Sequence, residues 1–238
     1  MTIQQLFFGT AAPSGIVTSG LVMHLDAGNS SSYPGTGTTW TDLSGNGNNG
    51  TLVNSPTWNS SGWFAWNGTN QRATVSRMVS GDFSLECWFR TTSTAGSAGG
   101  QWYGGKGLID AEVGGVTDDF GMSIGNGELL FGIGKFTPSA DITIRHSAPY
   151  NTGNWFQVVC RRVQSSGEIT ISTNGSQVAS GTGPTQALTA PTIISIAALA
   201  PNIDFFTGDI AIARIYNRAL SASEVSQNFN ANRGRFGI

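Results

Sequence analysis

Carboxylates are the side chains of this 238-residue chain with the widest chemical range, and there are 14 of them. The densest group is Asp110, Glu112, Asp118 and Asp119. Glycosidic cleavage needs two carboxylates roughly 5 to 9.5 Å apart, one donating a proton and the other acting as nucleophile or base. A strand presents such a set on one face when acids alternate along it. No E-x-D-x-E run occurs, and the four acids read as loop-borne. The available imidazoles are His24 and His146. His24 alternates with Val22 and Asp26 on one strand face and reads as a packed or solvated residue. No G-x-S-x-G elbow or other nucleophile motif is present. No catalytic residue is assigned, and the expected protein is not an enzyme.

Sugar binding asks for other groups, namely exposed rings beside amides and carboxylates. Of the seven tryptophans, Trp88 and Trp155 lie in strand-like runs and read as core. The loop candidates for a sugar platform are Trp58, Trp63, Trp102 and Tyr103. Trp102-Tyr103 comes first, because it ends a long Gly/Ser loop over residues 92–107, and loops of that length carry function or disorder. The alternative is that these rings cap the edge of the fold.

The elements that must position these residues are short strands. Charged residues make up 11% of the chain, against about 25% in typical soluble domains. Lys106 and Lys135 are the two lysines, and glycine contributes 33 residues. Solubility therefore falls to Ser, Thr, Asn and Gly. This profile suits tight turns and an exposed, protease-resistant particle surface. The net charge of −2 leaves no footprint for nucleic acid. Cys87 and Cys160 sit in apolar runs and read as buried thiols. Residues Met1 to Thr10 lack the pattern of a signal peptide. No apolar run approaches the ~20 residues that span a bilayer, so no membrane insertion is expected.

Residues 1–18 read as an arm with an apolar tip at Leu6, Phe7 and Phe8. The tip either docks onto something or packs back on its own domain. A first strand covers 20–26, and others are plausible at 82–91, 119–125, 127–133, 141–147, 154–163, 167–173, 192–199 and 208–216. Asn174-Gly175 is a strong hairpin turn inside 168–178. Ile210 and Ile212 alternate with Asp209 and Ala211 at period two. Ser221-Ala222-Ser223-Glu224 fits a capping box that opens a helical turn. Ten or so short strands with Gly-rich connections mean a sandwich or jelly roll. The expected fold is all-β, a two-sheet antiparallel sandwich over 19–220, followed by a short helical turn and tail over 221–238.

Three motifs carry a family resemblance. Residues 205–221, from Phe205-Phe206-Thr207-Gly208 to Arg218-Ala219-Leu220-Ser221, resemble the closing F-x-G-x-I-D-E-V-R-I-Y-N-R-A-L-S of laminin-G-like, concanavalin-A-like jelly rolls. Leu25-Asp26-Ala27 and Trp40-Thr41-Asp42-Leu43-Ser44-Gly45-Asn46-Gly47 resemble the opening motif of that family, and Trp66 falls in a third match. The resemblance covers roughly residues 20–232 and implies a structural role for Trp40 and Trp66. Related domains often bind calcium, which wants six to eight oxygens. Here the closing Asp-Glu is Ala211-Ile212, and the family's other acids are Asn67 and Gln71. Asp26 and Asp42 remain as metal candidates, or else as hydrogen-bonding turn residues.

The run through Ile215-Tyr216-Asn217-Arg218 to Arg233-Gly234-Arg235-Phe236-Gly237 resembles the version found in tailed-phage virion proteins, especially those of marine and cyanobacterial phages. That resemblance implies a non-enzymatic structural protein on the virion surface, assembled in the host cytoplasm. It would serve as capsid decoration or as part of a tail or fibre appendage. Leu6, Phe7 and Phe8, or Arg233, Arg235 and Phe236, would anchor it to capsid or tail proteins. A second copy of the chain and host-surface glycans are further expected partners. The alternative is a carbohydrate-binding lectin or host-adsorption module, and after it a glycoside hydrolase.

Overall fold

A computed structural model describes residues 15–97, 99–116, 118–134, 141–200 and 202–238. Leu6, Phe7 and Phe8 lie outside the described residues. The strands are β1 Leu21–Asp26, β2 Thr39–Trp40, β3 Gly50–Val53, β4 Thr57–Asn59, β5 Trp63–Asn67, β6 Arg72–Ser76, β7 Phe83–Arg90 and β8 Lys106–Asp110. They continue as β9 Phe120–Gly125, β10 Glu128–Ile133, β11 Ile142–Ser147, β12 Phe156–Val163, β13 Glu168–Thr173, β14 Ser176–Thr182, β15 Ile193–Ile196 and β16 Thr207–Tyr216. A helix, α1, spans Ala222–Phe236.

Two antiparallel sheets face each other, as the composition and strand spacing led one to expect. The first has the order β14-β13-β12-β7-β16-β5-β4, with β1 also pairing β16. The second runs β11-β10-β9-β8-β15-β6-β3-β2. Between them lies one core that includes Phe64, Phe83, Leu85, Phe89, Phe120 and Phe131. The period-two pattern of β7 accounts for its part: Phe83, Leu85, Cys87 and Phe89 point inward. Cys87 and Cys160 are buried free thiols, and burial pushes both well above the usual thiol range. The Asn174-Gly175 turn joins β13 to β14, with both residues at positive φ, as a two-residue hairpin loop demands.

The alternation expected through 208–216 is interrupted. β16 carries an irregularity between Ile210 and Ile212 in its pairing with β7. An extra residue flips the phase of every side chain after it. Ile210, Ala213 and Ile215 therefore enter the main core, while Ala211 and Ile212 join a separate cluster with Trp88 and Trp155.

The expected short helical turn is a 15-residue helix. Its start is the capping box read from the sequence: Ser221 accepts from the Glu224 N–H, and Glu224 accepts from the Ser221 N–H. Its end is Gly237, left-handed at φ 72°. The asparagine-rich middle has weak helix propensity, so packing decides its fate. Asn228 and Asn232, one turn apart, both face the first sheet. There they meet Glu86 and Arg214, which are 0% and 1% exposed at the side chain and pair at 2.9 Å. Glu86 also accepts from Trp88 Nε1, Gln157 Nε2 and Asn228 Nδ2. Arg214 donates to Asn232 Oδ1 at 2.9 Å. Both oxygens of the carboxylate and both terminal nitrogens of the guanidinium are thus matched, which is what lets such a pair be tolerated, while Arg214 Nε is buried without a partner. The helix closes the outer face of the first sheet.

Candidate ligand-binding site

The outer face of the second sheet is glycine-rich at its centre, with Gly121 and Gly132 side by side in the β9–β10 register. A methyl at either position would overlap the Trp102 ring. Trp102 opens a 3₁₀ turn, Trp102–Gly104, and the loop ahead of β8 folds down so that the indole fills this hollow. Thr143 Oγ1 accepts from the Trp102 N–H, and Ser123 Oγ donates to its carbonyl. Trp102 is 0% exposed. The expectation that it offers a sugar platform is corrected: the missing side chains of two glycines make a slot that an indole fills with gain in buried apolar area. Tyr103 remains at the surface, 39% exposed.

The β8–β9 connection brings Asp110, Glu112 and Asp119 together, while Asp118 turns away to Thr189. Asp110 is the last residue of β8 rather than loop-borne. Its Oδ1 accepts from the N–H groups of Glu112 and Ala200. Asp119 Oδ2 accepts from the Val113 N–H at 2.9 Å. Asp110 Oδ2 and Asp119 Oδ1 are buried with no donor, and the Glu112 carboxyl lies within hydrogen-bond reach of Asp119. Two carboxylates cannot share a dry contact while both are charged. Burial, then the Asp119 charge, pushes Glu112 up to about 8. Burial raises Asp119 to about 6. Both carboxyls therefore hold a proton more tightly than an exposed acid does. Burial also holds Asp110 well above the usual carboxylate range. Burial, then the charges of Asp141 and Glu112, raises the Tyr103 phenol.

A cleft of about 260 Å³ opens beside this pair, lined by residues that include Arg72, Thr74, Glu112, Val113, Ile193 and Ser195. Strand register builds its floor: Ser195 of β15 pairs with Thr74 of β6 on one side and Asp110 of β8 on the other. Ala73, Val75, Ile194 and Ile196 point into the core, so the hydroxyls of Thr74 and Ser195 point out. Ile193 is 47% exposed at the lip. Arg72 donates to Asn202 Oδ1. The cleft thus combines hydroxyls, a carboxyl and short apolar walls.

The other expected site residues are placed elsewhere. Trp58 is half-buried, donates Nε1 to the Ala27 carbonyl at 2.9 Å, and lines a shallow hollow with Tyr33 and Pro34. Trp63 is corrected as a platform: its ring packs on Trp155 at 5.7 Å and lies under the Arg90 guanidinium at 4.6 Å. Trp40, Trp66, Trp88 and Trp155 are buried. Asp26 pairs with Arg235 at 2.7 Å and caps the Gly28 N–H. Asp42 accepts from the N–H groups of His24, Ser44 and Asn48 and from the Ser44 hydroxyl. Both aspartates are spent on turn and ion-pair bonds, and among the described residues no three Asp, Glu, His or Cys residues converge to hold a metal. His24 is pushed down to about 3 by burial and by the Arg214 charge, so it is a neutral packed residue.

The expected C-terminal anchor is also corrected. Arg235 donates to Asp26 and to the Gly62 carbonyl. Phe236 stacks on Trp88 at 4.4 Å and packs on Trp155 at 4.8 Å. These side chains fasten the helix to its own domain, while Arg233 lies over the Phe229 ring. The Glu112–Asp119 contact was missed in the sequence. Its signal was the alternation of Asp110 and Glu112 at the end of an apolar run, with Asp119 just ahead of the next one.

Two antiparallel sheets packed face to face define a concanavalin A-like jelly roll. The chain belongs to the laminin-G family described as the Concanavalin A-like lectin/glucanases superfamily, which matches residues 67–226. Among curated proteins none matches the sequence. Three solved structures share the fold. The binding domain of botulinum neurotoxin serotype D superposes with a TM-score of 0.65 at 13% identity, covering 90% of this chain and 52% of its own. The binding domain of Paraclostridial Mosquitocidal Protein 1 gives 0.64 at 19%, covering 89% and 52%. The binding domain of botulinum neurotoxin DC in complex with SialylT gives 0.62 at 14%, covering 90% and 52%. The chain spans about half the length of these structures.

Proposed function

We propose that this domain is a non-catalytic glycan-binding module whose ligand face is the outer face of the second sheet. The observation that carries the reading is the cleft on that face, floored by Thr74 and Ser195 and lined by Ile193 and the Glu112 carboxyl, with Tyr103 exposed elsewhere on the same face. A pyranose offers an apolar face to a ring and hydroxyls to such acceptors, the mix of apolar wall and few convergent polar groups that binding sites use. Hydrolysis is disfavoured by the same geometry. Glu112 and Asp119 are in contact, whereas a glycosidase holds its two carboxyls roughly 5 to 9.5 Å apart to admit sugar or water. The structural neighbours include a binding domain in complex with SialylT, which supports a binding role. A glycan array probed with the full chain tests this reading, and saturable binding to at least one glycan is the expected result.

A second reading concerns where the module works. The closing motif resembles that of tailed-phage virion proteins, and the low charge suits a particle surface. On this reading the domain is displayed on the virion as capsid decoration or as part of a tail or fibre, in contact with other virion proteins. Its attachment then falls to the apolar tip Leu6, Phe7 and Phe8, because Arg235 and Phe236 are occupied within the domain. Immunogold labelling of particles tests it. Label over the shell or at the tail is expected, and absence of label from particles would refute it.

A further inference from the structure

An open hollow of about 770 Å³ lies at the β9–β10 hairpin end of the same outer face, and its lining includes Gly99, Asn126, Glu128, Ser147, Pro149 and Asn151. Leu129, Phe131 and Ile133 of β10 point into the core, so Glu128 and Gly132 point outward. Glu128 is nevertheless only 5% exposed. Its Oε2 accepts from the Gly99 N–H and its Oε1 from the Ser147 hydroxyl. Among the described residues no cation pairs with it. Arg145, on the neighbouring strand, donates to the Gly99 carbonyl instead. An ionised carboxylate has about four acceptor positions, and a buried charge without a counter-ion needs them filled. Two are filled from within the chain, which leaves room for donors from the hollow. Asn126 stands exposed at the hairpin tip, and its amide has no partner among the described residues.

Register relates this hollow to the cleft. Ser195 pairs with Asp110, Asp110 with Gly121, and Gly121 with Gly132. That row runs from the cleft floor to the slot filled by Trp102, and the exposed Tyr103 ring stands 5.7 Å from the indole. The row crosses three strand spacings, roughly 14 Å, and Glu128 lies four residues further along β10, roughly 14 Å again. Cleft and hollow are therefore about 20 Å apart across one face. A pyranose ring is about as wide as one strand spacing, so the span asks for about four rings.

We infer that the hollow around Glu128 is a second sugar subsite, and that the ligand is a neutral oligosaccharide running from the cleft past Tyr103 to the β9–β10 hairpin. Adjacent hydroxyls of its far ring donate to the open positions of the Glu128 carboxylate as charge-assisted hydrogen bonds. The Asn126 amide supplies both a donor and an acceptor beside them. The unpaired carboxylate rejects an anionic sugar at that end. This rests on the glycan-binding reading for the identity of the face and adds the length and charge of the ligand.

The test is an array of neutral gluco-, manno-, galacto- and xylo-oligosaccharides, each as di-, tetra- and hexasaccharide, probed with the full chain. Isothermal titration of the strongest series follows. The tetrasaccharide is expected to bind at least about tenfold tighter than the disaccharide, the scale of one charge-assisted hydrogen bond. Glu128→Gln should erase that ratio. Asn126 sits at φ 48°, which glycine adopts freely, so Asn126→Gly keeps the hairpin turn and removes only the amide. It should reduce the ratio by a factor of about two to ten, one neutral hydrogen bond, at an unchanged melting temperature. Equal affinity for all lengths, or a ratio that survives both variants, would overturn the second subsite and leave the cleft as a glycan site. No binding in any series would refute the glycan reading and the inference with it.

Discussion

Asn228 of α1 donates Nδ2 to Glu86 Oε2 of β7 at 2.8 Å, across 142 residues of sequence. The same asparagine accepts from the Val17 N–H through Oδ1, so one side chain joins the helix, the first sheet and the segment ahead of β1. Removing it strands a buried carboxylate oxygen and a backbone donor. Asn228→Ala is expected to lower stability by about 2 to 3 kcal/mol. Arg214→Met removes the charge partner of Glu86 and should cost about 3 to 5 kcal/mol. Urea denaturation followed by circular dichroism reads both, and an unchanged midpoint would refute the claim that this network holds the helix.

The slot under Trp102 gives a second prediction. Gly132→Ala places a methyl where the indole sits, so the loop must lift or the sheet must bend. A loss of about 1 to 3 kcal/mol is expected, the usual cost of overpacking. Gly104→Ala, a position with open space around it, serves as the control and should change stability by less than about 0.5 kcal/mol. Thermal unfolding with tryptophan fluorescence distinguishes them.

Stability should also respond to pH through the acid pair. Glu112 and Asp119 hold their proton more tightly when folded, so their contribution is present below the ordinary carboxylate range and fades as pH rises through about 6 and 8. Glu224 behaves in the opposite sense. Its hydrogen bonds from Arg218 pull it down to about 2, so its contribution is present above about 4.5 and is lost as pH falls toward 2. His24, pushed down to about 3, likewise weakens the fold as pH drops from 6.5. The melting temperature of Glu112→Gln minus that of the wild type is therefore expected to grow between pH 5 and 8.5. A flat difference would contradict the raised proton affinity of Glu112.

The fold was legible because its signals are local and periodic. Apolar alternation in β7, Asn174-Gly175 between β13 and β14, and Ser221 with Glu224 at the start of α1 each act within a few residues. What the sequence hid depends on pairing. The irregularity at Ile210/Ile212 flips a phase that period two cannot see. Trp102 looked like a loop ring because Gly121 and Gly132, which make room for it, are 19 and 30 positions away. Arg235 and Phe236 looked like a free tail because their partners, Asp26 and Trp88, are brought to them by the sheet. The acid pair was visible as composition and became a site through the turn that folds Glu112 back onto Asp119.

The most direct test of the account is titration of the strongest glycan found on an array against the wild type, Tyr103→Ala and Trp58→Ala. Tyr103 and Trp58 are both partly exposed aromatics, on the second sheet's outer face and in the separate hollow beside Tyr33 respectively. If the second sheet's outer face is the ligand face, Tyr103→Ala should weaken binding by at least about tenfold, consistent with about 1.4 kcal/mol of ring contact, at an unchanged melting temperature. Trp58→Ala should bind like the wild type. Full binding by Tyr103→Ala, with loss in Trp58→Ala, would contradict the account and move the site to the hollow between β1 and β4.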